Sequence, residues 1–300
     1  MQPPDVAFLG IGLMGRPMAN RLLQAGYPLR AWNRSPGKAE ALRAAGAAPC
    51  ADLANAVRGA GVVISMLESG PAVGQVIEAA LPALAAGTLW IDMSSTRQDE
   101  ALAFHARLAG AGCRFIDAPV SGGVGGAESG QLAIMAGADP TDFAQAAPWL
   151  AVLGTPKRVG PVGSGQVAKL CNQLIVGATI NVVAEALLLA EAAGADAAAV
   201  REAIRGGFAG SRVLEVHGQR MLERNFVPGG RIKTQLKDQR NILAAAQTAG
   251  LTLPLTALVT RHYESIAPDL PDADHAAALI ALERMNPGKR LGTDADKLPE

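Results

Sequence analysis

Residues 10–15 read GIGLMG, placing Gly10, Gly12 and Gly15 in a G-x-G-x-x-G spacing. The apolar run VAFL precedes them and RPMANRLLQAG follows, so three glycines stand where a strand should pass into a helix. A first glycine permits an abrupt exit from the strand. A second lets a ligand approach the main chain, and a third lets the helix pack against the strand. The free N–H groups and positive dipole end of such a helix favour a pyrophosphate. Any strand-to-helix turn can use glycines, and only the position at the head of a strand–helix series turns this one toward a dinucleotide. Its candidate contacts are Gly10, Ile11, Gly12, Leu13, Met14 and Gly15.

An NAD-binding strand of this kind ends, about 20 residues on, with an acid for the ribose. Here the second strand ends in WNRSPGK, which supplies Asn33, Arg34 and Ser35 instead. An arginine pairs with a 2′-phosphate that an acid would repel, so NADP(H) is expected in preference to NAD(H), which stays possible. An arginine solvated in a loop is the competing reading.

Two further stretches could do chemistry. In GSGQVAKLCNQ (163–173), Lys169 and Asn172 lie three apart and share a helix face. A lysine in an apolar stretch is costly to bury unless used, although a snorkelling surface lysine fits the same letters. In DAPVSGG (117–123), Ser121 offers a hydroxyl while Gly122 and Gly123 leave N–H groups open to a small carboxylate. A glycine-rich hairpin with no ligand is the alternative.

Other chemistries find no support. His105, His217, His262 and His275 lack metal-ligand spacing, so no metal is expected. PVSGG is not G-x-S-x-G and no partner histidine follows it. Cys50, Cys113 and Cys171 form neither CxxC nor an even set, which fits a reducing cytoplasm, and Cys171 reads as a buried inert thiol.

The elements behind these residues follow from composition and rhythm. The 300 residues are 49% hydrophobic and only 4% aromatic, enough for a large aliphatic core and two domains. Lys plus Arg and Asp plus Glu both total 27, with no long run of one sign, so neither nucleic acid nor an anionic membrane is expected as partner. No basic leader precedes an apolar stretch, and polar residues interrupt every apolar run before about 20 residues.

Strands are predicted at 6–10, 29–33, 61–67, 88–93, 114–120 and 132–137, with helices near 13–25, 36–45, 71–86 and 96–109. Their alternation implies parallel strands in a doubly wound α/β sheet. From about residue 163 the rhythm becomes helical, beginning with a long helix near 164–193, apolar nearly all round and so expected to be buried. Further helices are read at 196–205, 211–224, 231–249, 254–266 and 272–284. The expected division is 1–162, a Rossmann domain; 163–290, a helical domain; and 291–300, a polar, weakly ordered tail.

Together VAFLGIGLMG, DAPVSGG, GSGQVAKLCNQ and QLKDQRN (235–241) occur in the order seen in the β-hydroxyacid dehydrogenase family, which the chain resembles over nearly its whole length. The resemblance implies a Rossmann domain and an all-helical domain joined by a long helix. It implies that Lys169 is catalytic and that Ser121, Gly122, Gly123, Asn172 and Asp238 meet the substrate. It places Lys237 by the cofactor, with Thr96 of IDMSST and, more weakly, Met66 and Leu67 of SMLES. By spacing alone, Lys237 and Asp238 are equally a surface ion pair.

Within the family, residues 205–238 are most similar to the tartronate semialdehyde reductase branch. Gly230 stands where that branch usually has an aromatic, and MLES replaces the more usual MLP. The implied reaction is hydride transfer between NADP(H) and a small 3-oxo or 3-hydroxy acid, with tartronate semialdehyde reduced to glycerate. 3-Hydroxyisobutyrate and glyoxylate or succinic semialdehyde enzymes of the family are alternatives. A silent dinucleotide-binding module is another, though it would have no reason to keep Lys169. The family also implies a homodimer or homotetramer.

Overall fold

A computed structural model describes residues 5–299. The chain gathers into two compact units that part after Lys169, inside a helix rather than at the 162/163 boundary expected from sequence. The first unit opens with β1 (Val6–Leu9), α1 (Gly15–Gln24), β2 (Leu29–Trp32), α2 (Pro36–Glu40), β3 (Ala48–Pro49) and α3 (Leu53–Val57). It continues through β4 (Val62–Ser65), α4 (Gly70–Ala80), β5 (Leu89–Asp92), α5 (Gln98–Ala109) and β6 (Arg114–Asp117). It closes with β7 (Val120–Ser121), α6 (Gly123–Ser129), β8 (Leu132–Gly137), α7 (Pro140–Leu153) and β9 (Gly154–Gly160).

The strands form one sheet in the order β3-β2-β1-β4-β5-β6-β8-β7, with β9 beside β8. The first six in that row are parallel, with Leu9 level with Trp32 and Ser65, and Asp92 level with Asp117. Every residue of β1, β4 and β5 is buried, as a sheet covered on both faces requires. One face packs Phe8, Met18, Leu22, Ile64, Ile91 and Trp149, and the other Leu9, Val63, Ile77, Trp90 and Phe115.

Several elements differ from the sequence reading. β8 runs antiparallel to β6 and β7, so the alternation of strand and helix does not extend a parallel sheet past β6. The glycine-rich stretch GVGGAES forms α6, although glycine is among the weakest helix formers. Sequence periodicity also missed α3, α7, β3 and β9; β9 alternates in burial and carries Pro156, which an edge position tolerates.

The long helix α8 (Ser164–Ala192) begins in the first unit and continues into the second. By length and composition it could cross a membrane, but 56% of its 18-residue apolar window is buried within the protein. It is not buried all round, because Ile175, Val182 and Leu189 are exposed. The rest of the second unit is α9 (Ala197–Arg205), α10 (Arg212–Leu222), α11 (Ile232–Thr248), α12 (Pro254–Ile266) and α13 (Ala278–Met285). Its core includes Ile180, Leu187, Met221, Phe226, Ile232 and Tyr263.

Residues 291–299 are a seated segment rather than a loose tail. Leu291 is buried, and the buried Arg224 guanidinium bonds Glu283 at 2.6 Å and Asp296 at 2.7 Å. Main-chain bonds join Phe226 N–H to the Lys297 carbonyl and Lys297 N–H to the Arg224 carbonyl, both at 2.9 Å. The sequence gives no sign of this, because the partners, Arg224 and Phe226, lie far along the chain.

The glycines of the first turn divide their work. Gly10 has φ +102°, and a Cβ there would overlap the Met66 carbonyl. A Cβ on Gly15 would overlap the Gly10 carbonyl, whereas one on Gly12 would meet nothing within 4 Å. Gly15→Ala is therefore expected to lower stability by about 3 kcal/mol through overpacking, while Gly12→Ala folds with near wild-type stability. Denaturant unfolding of both variants tests this, and equal stabilities would remove the packing role of Gly15.

Candidate active site

In the first unit the candidate residues collect along one edge of the sheet, where the parallel strands end. The strand order, not the strand direction, reverses between the parallel neighbours β1 and β4, and that is the point at which such sheets bind dinucleotides. Gly10 to Gly15 leave β1 there, and Asn33, Arg34 and Ser35 leave β2. Asn33 joins the two exits: its Oδ1 accepts the Ile11 N–H at 2.9 Å, and its Nδ2 donates to the Ser35 carbonyl at 3.1 Å. Its side chain thus shapes the loop, while Arg34 and Leu13 are exposed and Met14 is half-buried.

These residues fit a dinucleotide. Gly12 leaves open the space that a Cβ would fill, and Arg34 presents an exposed guanidinium beyond the same edge.

The next two strands supply Met66, Leu67 and Thr96. Met66 and Leu67 are half-buried, and the Leu67 N–H donates to Ser94 Oγ at 2.9 Å, tying the exit of β4 to that of β5. Thr96 is buried, and its N–H donates to Gln166 Oε1 at 2.9 Å. Ser121 ends β7, and Gly122 and Gly123 lead into α6 with φ of +139° and +62°. Conformations that side chains rarely adopt explain both glycines.

Two carboxylates lie level on adjacent strands beneath this edge. Asp92 Oδ1 accepts from Ser65 Oγ at 2.7 Å and Ser94 Oγ at 2.6 Å, while its buried Oδ2 has no partner among the described residues. Burial pushes its acid up to about 6, against the bonds from Ser94 and Ser65. Asp117 accepts the Gly163 N–H at 2.7 Å and the Gln166 N–H at 2.8 Å. Burial pushes it up to about 7, against those bonds and with the Asp92 charge adding to the rise. Asp92, Ser94, Asp117 and Gln166 lie within the stretches IDMSST, DAPVSGG and GSGQVAKLCNQ but had no role assigned from sequence, because only their contacts give them meaning.

Lys169 is half-buried on α8 and ends the first unit. Asn172 follows one turn later on the same helix, in the second unit. There a polar chain forms: Asn172 Nδ2 donates to Gln173 Oε1 at 2.9 Å, and Gln173 Nε2 donates to Asp238 Oδ2 at 2.7 Å. Lys237 Nζ lies 3.3 Å from Asp238 Oδ1, so these two residues do form an ion pair. Gln173, which closes the GSGQVAKLCNQ stretch but had no role assigned from sequence, is what connects Asn172 to Asp238. Cys171, expected to be buried, is exposed.

Gly230 has a specific neighbour. A Cβ there would meet His275 Cε1 at 2.8 Å, so the imidazole occupies the place where a side chain at 230 would begin. Asp274 accepts the N–H groups of Gly229 at 2.8 Å and Gly230 at 3.1 Å, and lies 3.3 Å from His217 Nδ1. Burial would raise Asp274, but the His217 and Ala276 hydrogen bonds hold it well below the carboxylate range. Burial pushes His275 down to about 4, leaving it neutral at pH 7.

Comparison with known proteins agrees with this layout. The family model for the NAD binding domain of 6-phosphogluconate dehydrogenase matches residues 5–177. The model for the NAD-binding of NADP-dependent 3-hydroxyisobutyrate dehydrogenase matches 163–282. A 2-hydroxy-3-oxopropionate reductase of Escherichia coli (strain K12) is 38% identical over 93% of this chain and 97% of its own. The chain belongs to the β-hydroxyacid dehydrogenase family.

As a family member it is an NAD(P)-dependent oxidoreductase acting on hydroxyacids. A probable 3-hydroxyisobutyrate dehydrogenase-like 1, mitochondrial, of Arabidopsis thaliana is 36% identical over 94% of this chain and 86% of its own. The solved structure of Mycobacterium tuberculosis 3-hydroxyisobutyrate dehydrogenase with L-serine superposes with a TM-score of 0.87 at 32% identity, covering 93% of this chain and 99% of the other. These relatives share the Rossmann-type domain and helical C-terminal domain described above.

The raised acid of Asp92 makes a pH prediction. A carboxyl that holds its proton more tightly when folded contributes stability below 3.8, its ordinary value, and loses that contribution as pH rises to about 6. Asp92→Asn cannot ionise, so its stability relative to wild type should improve between about pH 4 and 6 and level off outside that window. Thermal melts across pH check it, and parallel profiles for the two proteins would refute the buried-acid assignment.

Proposed function

We propose that this dehydrogenase reduces tartronate semialdehyde to glycerate with NADPH, reversibly. The observation that carries the substrate is the 38% identity, along 93% of the chain, to a 2-hydroxy-3-oxopropionate reductase. Arg34, exposed after β2 where an NAD-binding chain would carry an acid, supports NADP(H) over NAD(H). NADPH, when bound, supplies the hydride.

Gly10, Gly12 and Gly15 let the main chain, with Ile11, Leu13 and Met14, receive the pyrophosphate, and Asn33 holds Arg34 and Ser35 in place for the 2′-phosphate. Met66, Leu67, Thr96 and Lys237 border the remainder of the cofactor. Ser121 and the N–H groups of Gly122 and Gly123 take the substrate carboxylate, and Asn172 takes its hydroxyl. Asp238, fixed by Gln173, limits how the substrate turns. Lys169 gives a proton to the carbonyl oxygen during reduction and accepts it back during oxidation.

A second reading, a 3-hydroxyisobutyrate dehydrogenase, is favoured by the Arabidopsis relative and the mycobacterial structure. A cytoplasmic location belongs to the same proposal, supported by three cysteines that remain thiols.

We also propose that the protein is a homodimer or homotetramer. Ile175, Val182 and Leu189, 63%, 54% and 69% exposed and seven residues apart, form an apolar stripe along α8 that supports self-association. Light scattering should give a mass two or four times that of the chain, reduced by Val182→Glu. A monomeric wild type would overturn this part of the proposal.

The deciding experiment is the initial rate of cofactor oxidation with tartronate semialdehyde and with methylmalonate semialdehyde, using NADPH and NADH. Tartronate semialdehyde with NADPH is expected to give the highest kcat/KM, and Lys169→Ala to lower kcat by about 10²–10⁴-fold while still binding NADPH. Preference for the methyl substrate would transfer the assignment to the second reading. Equal use of NADH would remove Arg34 from its role, and an active K169A would remove Lys169.

A further inference from the structure

One buried side chain links the loop after β5 to the helix that bears Lys169. Gln166 is fully buried, and both ends of its amide are used. Its Oε1 accepts the Thr96 N–H at 2.9 Å, and its Nε2 donates to the Ser94 carbonyl at 2.9 Å. The loop is therefore held by its main chain, which leaves the side chain of Thr96 out of the restraint.

The other end of the link is equally built. The N–H groups at the start of a helix have no partner inside it, and a cap normally comes from the residue just before. Here Asp117, at the end of β6, takes the N–H groups of Gly163 and Gln166 with its two oxygens, at 2.7 and 2.8 Å. A Cβ on Gly165 would overlap main-chain carbonyls of Met135 and Asp117, so the first turn of α8 sits directly on the strand ends. Lys169 lies three residues beyond Gln166, one turn along and on the same face of a rigid helix.

We propose that Gln166 is a positioning residue, fixing the Thr96 loop and the Lys169 turn at a constant separation so that cofactor and proton donor meet the substrate in register. The inference rests on the roles given above to Thr96 and Lys169. A leucine at 166 matches the volume but leaves the Thr96 N–H and Ser94 carbonyl buried without partners. Glutamate keeps the acceptor for Thr96 and loses the donor to Ser94.

The test uses the full-length enzyme and the variants Q166L and Q166E. In cofactor-free protein, hydrogen–deuterium exchange should be faster at the Thr96 amide in Q166L and near wild type in Q166E. A misplaced Lys169 turn should lower kcat by about 10²-fold in Q166L with KM for NADPH nearly unchanged. The two unpaired buried groups should lower its melting temperature, and Q166E should fall between wild type and Q166L. Unchanged exchange at Thr96 in a folded Q166L overturns the link. A kcat equal to wild type, or a loss appearing only in KM for NADPH, overturns the positioning role. Should Q166L not fold, a Q166E with wild-type kcat overturns it as well. If K169A proves fully active, the reading of Lys169 fails instead, and the exchange data still decide whether Gln166 holds Thr96.

Discussion

A parallel strand always delivers the chain to the same edge of its sheet, and the candidate active site depends on that constraint. β1, β2, β4, β5 and β6 run in register, so the residues that leave them, from Gly10 to Asp117, emerge on one line without further design. Main-chain groups do most of the work along it. The Gly10 turn lies against the Met66 carbonyl, Asn33 holds the Ile11 N–H, and Ser94 holds the Leu67 N–H. A site assembled this way needs small residues where backbones meet and short polar side chains where they separate.

The second consequence is electrostatic. Strands that end side by side bring Asp92 and Asp117 level inside the protein, where burial favours the protonated acids. Hydroxyl and amide donors from Ser65, Ser94, Gly163 and Gln166 offset the cost. Asp117 thereby serves as a helix cap supplied from across the fold, and the first turn of α8 is fixed to the sheet before Lys169 is reached.

The helical unit follows different rules. Its polar interior is a line of amides, from Asn172 through Gln173 to Asp238, and its ends are closed by buried charge, as Arg224 shows in gathering Glu283 and Asp296. Asp274 performs the equivalent service for the Gly229–Gly230 turn, so a place that could have held a side chain is filled by His275.

How much of this was legible beforehand divides by the range of the interaction. Glycine spacing, a switch from strand–helix alternation to helices, and a lysine and asparagine three apart are local patterns. Local sterics and periodicity impose them, so the sequence alone determined the Rossmann half, the helical half and the long helix, whereas Thr96, Lys237 and Asp238 entered as candidates only through the resemblance to the family. It could not tell that β8 reverses, that α6 forms from glycines, that Cys171 is exposed or that residues 291–299 are seated. Each of those outcomes depends on partners far along the chain. The same holds for Gln166 and Gln173, whose letters say nothing until tertiary structure gives their amides something to bond, because a hydrogen bond between distant residues leaves no period in the sequence.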